Sequence, residues 1–249
     1  VNEFLKNLDK MEFAVTLACT GRCRHCQNGD PAASREHISP AAAERAVREV
    51  RAHYDIRTVM AFGGEPLLYP ETVLAALGAA SELGVETRQL ITNGFFTKDR
   101  ARAAEVVRGL AESGVNDVLL SVDAFHQESI PVEAPLYFAE LALGAGLPLR
   151  LAPAWLVSPE DGNPYNERTR EVLRAFAPLG VPEGEGNVVF PSGNALKYLR
   201  EYFPDPAAPS PYDEDPRDVR TLSFSPDGSV LNGNVNETDI LEIIENYKP

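Results

Sequence analysis

Apolar residues fall in short runs separated by longer amphipathic stretches, and the alternation repeats along most of the chain. Glu12 to Ala18 reads as a strand, and Ser39-Pro40 then opens a helix carried by Ala41 to Tyr54, with serine as N-cap and proline at the first helical position. Thr58 to Phe62 is the second strand, Glu71 to Leu83 the second helix, and Glu86 to Ile91 the third strand. A helix over Asp99 to Ser113 closes at Gly114, and Asp117 to Val122 is the fourth strand. The pattern continues through a helix at Leu136 to Ala145, a strand at Leu149 to Val157 and a helix at Asn166 to Ala177. A strand at Asn187 to Phe190 and a helix at Ala195 to Tyr202 complete it.

Six strand-helix pairs in series require parallel strands joined by right-handed crossovers. The fold class expected is α/β: a partial (β/α)6 TIM-like barrel, open because six pairs are too few to close eight strands. The loops at the carboxyl ends of such strands gather on one rim, where ligands bind. Domain boundaries are expected at 1–203 for the barrel, 204–220 for a linker rich in proline and acid, and 221–249 for a small C-terminal extension. In that extension Thr221 to Ser225 and Ser229 to Leu231 read as a hairpin about Asp227-Gly228, and Thr238 or Asp239 caps a last helix.

Composition narrows the picture in two ways. Lys plus Arg number 23 and Asp plus Glu 37, for a net charge of −14, which disfavours a phosphate backbone as partner; no nucleic acid is expected. The longest apolar runs are strand-sized, so no membrane span is expected. All three cysteines lie within the eight residues Cys19-Thr20-Gly21-Arg22-Cys23-Arg24-His25-Cys26, behind the first strand. An odd count without an even framework points to a reducing compartment, and the expected location is cytoplasmic.

Three thiols on one turn suit a soft metal centre. Three readings remain open on spacing alone: a Cys3His zinc site with His25, an iron-sulfur cluster with one open corner, and unligated buried cysteines. The other rim loops carry further short polar groups. Gly63-Gly64-Glu65-Pro66 offers bare carbonyls to a small cation such as an ammonium, or needs its glycines only for a tight turn. Asn93, Ser121 and Asp123 suit ribose hydroxyls, and each residue type is also common in turns. Arg150 is a carboxylate ligand or an outward-facing barrel arginine. His126, in Asp123-Ala124-Phe125-His126-Gln127, is placed to donate, accept or shuttle a proton for a substrate, with Asp123 beside it.

Taken in order, Cys19-x3-Cys23-x2-Cys26, Gly63-Gly64-Glu65-Pro66, Thr92-Asn93-Gly94 and Ser121-Val122-Asp123 resemble the radical S-adenosylmethionine (radical SAM) superfamily, over about residues 10 to 200. The resemblance implies one [4Fe-4S] cluster on Cys19, Cys23 and Cys26, with S-adenosylmethionine (SAM) on the open iron. It implies reductive cleavage of SAM to a 5′-deoxyadenosyl radical that abstracts a substrate hydrogen. Gly63, Gly64 and Glu65 then face the methionyl amine, Ser121 with Asn93 or Asp123 the ribose or carboxylate, and His25 the adenine. Pro191 to Ala195 corresponds to a glycine turn near adenine and ribose.

The tail, from Phe224 on, is similar to a SPASM or twitch extension but carries Leu231, Asn232 and Gly233 where such relatives place cluster cysteines. No auxiliary cluster is therefore expected, which favours redox-neutral chemistry or a tyrosine donor. The implied substrate is a ribosomally made peptide; the alternatives are a free small metabolite, a glycyl-radical activase partner, or a degenerate, non-catalytic module binding a peptide. A flavodoxin or ferredoxin-like protein is the implied electron donor.

Overall fold

The computed structural model describes residues 2–249. Its strands and helices run β1 (Lys10–Ala14), α1 (Pro40–His53), β2 (Thr58–Phe62), α2 (Pro70–Glu82), β3 (Thr87–Thr92), α3 (Arg100–Glu112), β4 (Asp117–Leu120) and α4 (Glu133–Gly144). They continue as β5 (Leu149–Leu151), β6 (Ala154–Trp155), α5 (Pro164–Arg174), β7 (Asn187–Val188), α6 (Gly193–Tyr198), β8 (Thr221–Phe224), β9 (Ser229–Val230), β10 (Gly233–Asn234) and α7 (Ile240–Asn246). The second and third strands and the first three helices match their sequence signals to within a residue, while the fourth strand stops early at Leu120 and the fourth helix starts early at Glu133. Ser39 accepts from Ala42 N at 3.2 Å to cap α1, whose apolar stripe Ala42, Ala46, Val47 and Val50 is buried. Asp99 caps α3 by accepting from Ala101 N and Arg102 N at 2.8 and 3.2 Å, and Gly114 ends that segment at φ 74°.

Six strands form one sheet in the order β5-β4-β3-β2-β1-β8, every neighbouring pair parallel. Shared direction puts the carboxyl ends of β1 to β5 on one rim, as an α/β partial barrel requires. Among the described residues no helix is long and apolar enough to cross a membrane.

Three other elements depart from expectation. The first strand ends at Ala14, because Thr16 leaves the sheet and bridges His37 while its hydroxyl donates to Glu36 O at 2.8 Å. The long fifth strand is broken: Pro153 cannot donate to a ladder, so β5 stops at Leu151 and β6 pairs separately with β7. Pro182 to Val189 still follows this broken line, with Gly184 N donating to Leu151 O and Val189 N to Trp155 O, each at 2.8 Å.

The expected tail hairpin is also repartnered. Its Asp-Gly turn forms, Gly228 N donating to Ser225 O at 2.9 Å, but β8 lies beside β1 in register Lys10↔Thr221 through Phe13↔Phe224. Burial decides this: Leu222 and Phe224 are within the core, and Phe224 stacks on Phe13 at 4.6 Å between ring centroids. The hairpin proper is β9 with β10, and Asp239 caps α7 by accepting from Leu241 N at 2.8 Å.

Candidate functional site

The chain between β1 and the first cysteine lies directly on the loop after β2. Gly64 N donates to Thr16 O at 2.7 Å and Glu65 N to Ala18 O at 2.9 Å. A Cβ on Gly63 would sit 2.4 Å from Thr16 O, and one on Gly64 2.2 Å from Ala18 O; Gly63 also has φ +138°. Glycine is therefore required at both positions by backbone packing against the limb leading to Cys19. The N–H of Gly64 belongs to that limb, and among the described residues no backbone donor reaches the carbonyls of Gly63 or Gly64.

Glu65 is fully buried and joins this loop to the end of β3. One oxygen accepts from Leu67 N at 3.0 Å and Thr92 Oγ1 at 2.8 Å, the other from Asn93 N at 2.8 Å. Burial nonetheless pushes its carboxyl up to about 7. Asn93, 5% exposed, accepts from Phe95 N at 2.8 Å through Oδ1 and aims Nδ2 at Cys19 Sγ, 3.6 Å away, and at Thr20 Oγ1, 3.2 Å away. Ser121, half-buried on the same rim, donates its N–H to Thr92 O at 2.8 Å.

All three cysteines are free thiols. A Cβ placed on Gly21 would lie 3.3 Å from Cys23 Sγ and 3.7 Å from Cys19 Sγ, so glycine keeps the space between two sulfurs open. Burial pushes the Cys19 thiol up to about 11 and raises those of Cys23 and Cys26. Dry thiols of this kind become thiolates when a metal supplies the compensating charge.

Asp123 is enclosed. Oδ1 accepts from Phe125 N and His126 N at 2.9 Å, and Oδ2 from His126 Nδ1 at 2.8 Å and Ala154 N at 3.0 Å. Burial pushes this carboxyl up, but His126 outweighs it and holds the group at about 2. Both oxygens of Asp123 accept from protein donors, so the carboxylate orients His126 and ties β4 to β6. Ring nitrogens of His25 and His126 and the Cys23 sulfur lie within 4.8 Å of one another. His25 packs 4.8 Å from Phe125, its Nδ1 buried without a partner, and burial lowers its pKa to about 4.

The turn after β7 grips the far side of the cysteine loop. Asn194 N donates to Cys26 O at 2.9 Å and Asn194 Nδ2 to Cys23 O at 3.2 Å, while Ser192 Oγ donates to Gln27 O at 3.2 Å. Gly193, at φ 47°, leaves no room for a Cβ beneath Gln27 O. The resemblance implies that this turn lies near adenine and ribose; its paired polar groups hold the loop backbone and, through Asn194 Nδ2, the Asp30 carboxylate at 3.2 Å. The Gly-Asn pair was the visible signal. Ser129, whose Oγ accepts from Arg22 N at 2.9 Å, and Tyr165, stacked on Phe125 at 4.9 Å, gave no such signal. Arg150 faces outward, with Nε and Nη2 each 3.0 Å from the Asp117 carboxylate.

The superfamily model for Radical SAM matches residues 13–201, spanning the cysteine loop and all of these rim turns. The chain belongs to the radical SAM superfamily. It is an enzyme of that class, and members of the class use a [4Fe-4S] cluster and SAM. GTP 3′,8-cyclase of Chlorobaculum tepidum is 29% identical over 127 residues, 51% of this chain and 36% of the relative. The Moorella thermoacetica enzyme is 28% identical over 127 residues, 50% of this chain and 38% of its own. The match thus spans little more than a third of these curated relatives. Streptococcus suis SuiB bound to S-adenosylmethionine superposes with a TM-score of 0.60 at 14% identity, over 97% of this chain and 66% of SuiB. Native anSMEcpe with bound AdoMet gives 0.58 at 14%, over 96% and 80%. These likenesses establish the shared radical SAM fold.

Proposed function

We propose that Cys19, Cys23 and Cys26 hold one [4Fe-4S] cluster whose fourth corner binds SAM, and that the enzyme abstracts a hydrogen from a peptide. The observation that carries the assignment is the space kept clear by Gly21 between two free thiols, one buried and one half-buried, on a loop held from both sides. Donor chemistry agrees: three soft sulfurs suit iron-sulfur ligation and leave one iron open. Bound together, the cluster and SAM supply the 5′-deoxyadenosyl radical; the protein contributes position and a dry enclosure.

The residues divide that work. Gly63 and Gly64 present carbonyl oxygens to the methionyl ammonium, and Glu65 fixes their loop from within the core. Ser121 lies on the rim for the ribose or carboxylate. His25, planar and packed on Phe125, takes the adenine side. His126, oriented by Asp123, stands at the Cys23 corner, where it contacts the substrate. The electron comes from a flavodoxin or ferredoxin-like carrier.

A peptide substrate is supported by anSMEcpe with bound AdoMet and Cp18Cys peptide, which superposes at a TM-score of 0.55 and 15% identity. The likeness to GTP 3′,8-cyclases favours a second reading, a free small metabolite. A net charge of −14 weighs against a triphosphate. Anaerobic reconstitution with iron and sulfide, reduction, and detection of 5′-deoxyadenosine by mass spectrometry test the proposal. Production is expected from the wild type and not from Cys23→Ala. A fully iron-loaded wild type that makes none would overturn it.

A further inference from the structure

Asn93 has an amide whose orientation is fixed by its surroundings. Its backbone N–H is held by Glu65 and its Oδ1 accepts from Phe95 N at 2.8 Å. Oxygen and nitrogen cannot exchange places without setting Oδ1 against the sulfur and Nδ2 against an N–H. The nitrogen must therefore face Cys19 Sγ, 3.6 Å away, within a site where Asn93 is 5% exposed. Gly21 N already donates to the same sulfur at 3.3 Å.

This arrangement differs from the ribose contact expected of Asn93. Neutral donors aimed at a ligand sulfur stabilise the more negative, reduced state of a cluster and raise its reduction potential. Resting on the cluster assignment above, we propose that Asn93 sets the cluster's reduction potential by donating from Nδ2 to the Cys19 sulfur. Glu65 is the positioning residue that keeps the donor aimed, through Asn93 N and through Thr92 Oγ1, which in turn accepts from Gly94 N at 3.1 Å. The Gly63-Gly64-Glu65 and Thr92-Asn93-Gly94 turns thereby act as one support for a single cluster ligand. Neither the first cysteine alone nor either turn alone has this property.

Asn93→Asp keeps the Oδ1 contact to Phe95 but replaces the donor by an acceptor and adds a negative charge, whereas Asn93→Ala removes the donor and adds none, so the assignment requires both variants to lower the potential, the aspartate by at least as much as the alanine. Wild type and variants are reconstituted and titrated with reductant without SAM, the reduced cluster being followed by electron paramagnetic resonance. At a fixed poise near the wild-type midpoint, the ratio of reduced to oxidised cluster is expected to fall by about threefold to tenfold, one hydrogen bond's worth. SAM affinity, measured separately on the oxidised proteins, is expected to change by less than about twofold, the loss of a direct hydrogen bond being several times larger.

Asn93→Ala carries the expectation of about threefold to tenfold by itself; if Asn93→Asp does not hold iron, the alanine variant alone decides the assignment. An unchanged midpoint with weakened SAM binding would overturn the proposal and return Asn93 to the ribose. A wild type that binds no cluster at all would instead defeat the functional assignment, a result separable by its iron content.

Discussion

The two limbs of the cysteine loop are held by different parts of the molecule. Upstream of Cys19, the backbone is pinned to the end of β2 by bonds from Gly64 and Glu65, at distances that admit no side chain. That limb is an extension of the regular half of the barrel, whose strands β1 to β4 share one continuous ladder. Downstream, Cys23 to Gln27 rests on the turn after β7, in the half where Pro153 splits the ladder and a separate small core forms from Phe125, Leu156, Val189 and Leu199. The upstream limb is held by main-chain bonds at Gly64 and Glu65; the downstream limb is held by a main-chain bond from Asn194 N, by close approach at Gly193 and, in addition, by the Asn194 and Ser192 side chains. The downstream limb therefore depends in part on side chains that a substitution can remove, and the upstream limb on glycines that a substitution can fill.

Substitutions can break this contrast in order of size. Gly64→Ala places a Cβ against Ala18 O and should cost on the order of 3 kcal/mol or more, with loss of iron binding. Urea unfolding and an iron assay measure both. Acid comes next. His126 holds the Asp123 carboxyl at about 2, below its ordinary 3.8, so its contribution is present above about pH 4 and is lost as pH falls toward 2. In the cluster-free protein this is about 2 kcal/mol, read as a fall in denaturation midpoint between pH 4 and 2 that Asp123→Asn removes. Asn194→Ala should cost about 1.5 kcal/mol and loosen the downstream limb alone, seen as faster amide exchange at Gln27 to Asp30 than at Thr16 to Ala18. Arg150→Ala, away from both limbs, should cost under about 1 kcal/mol and leave iron content unchanged.

Those same two halves differ in how far sequence revealed them. In the regular half, helix caps at Ser39 and Asp99 and glycine stops such as Gly114 mark boundaries by local chemistry, and strand ends follow from them. The cysteines, Gly63-Gly64-Glu65 and Asn93 were visible as residues, and their convergence followed from parallel topology. Their directions were not: whether Gly64 serves a ligand or a neighbouring backbone depends on how closely Thr16 to Ala18 approaches, which no periodicity encodes. In the second half, a single proline divides what reads as one apolar run. The strand Thr221 to Phe224 carried an equally clear local signal, but its partner is chosen by Phe13, more than two hundred residues earlier. Long-range pairing of that kind is decided by burial, not by the turn beside it.

The central claim is that a cluster held by three cysteines leaves one corner for SAM. Electron paramagnetic resonance of the anaerobically reconstituted, reduced protein, recorded before and after addition of SAM, tests it most directly. The account predicts the signal of one [4Fe-4S] cluster per chain whose g-values shift when SAM is added. A full complement of cluster whose spectrum is indifferent to SAM would contradict it.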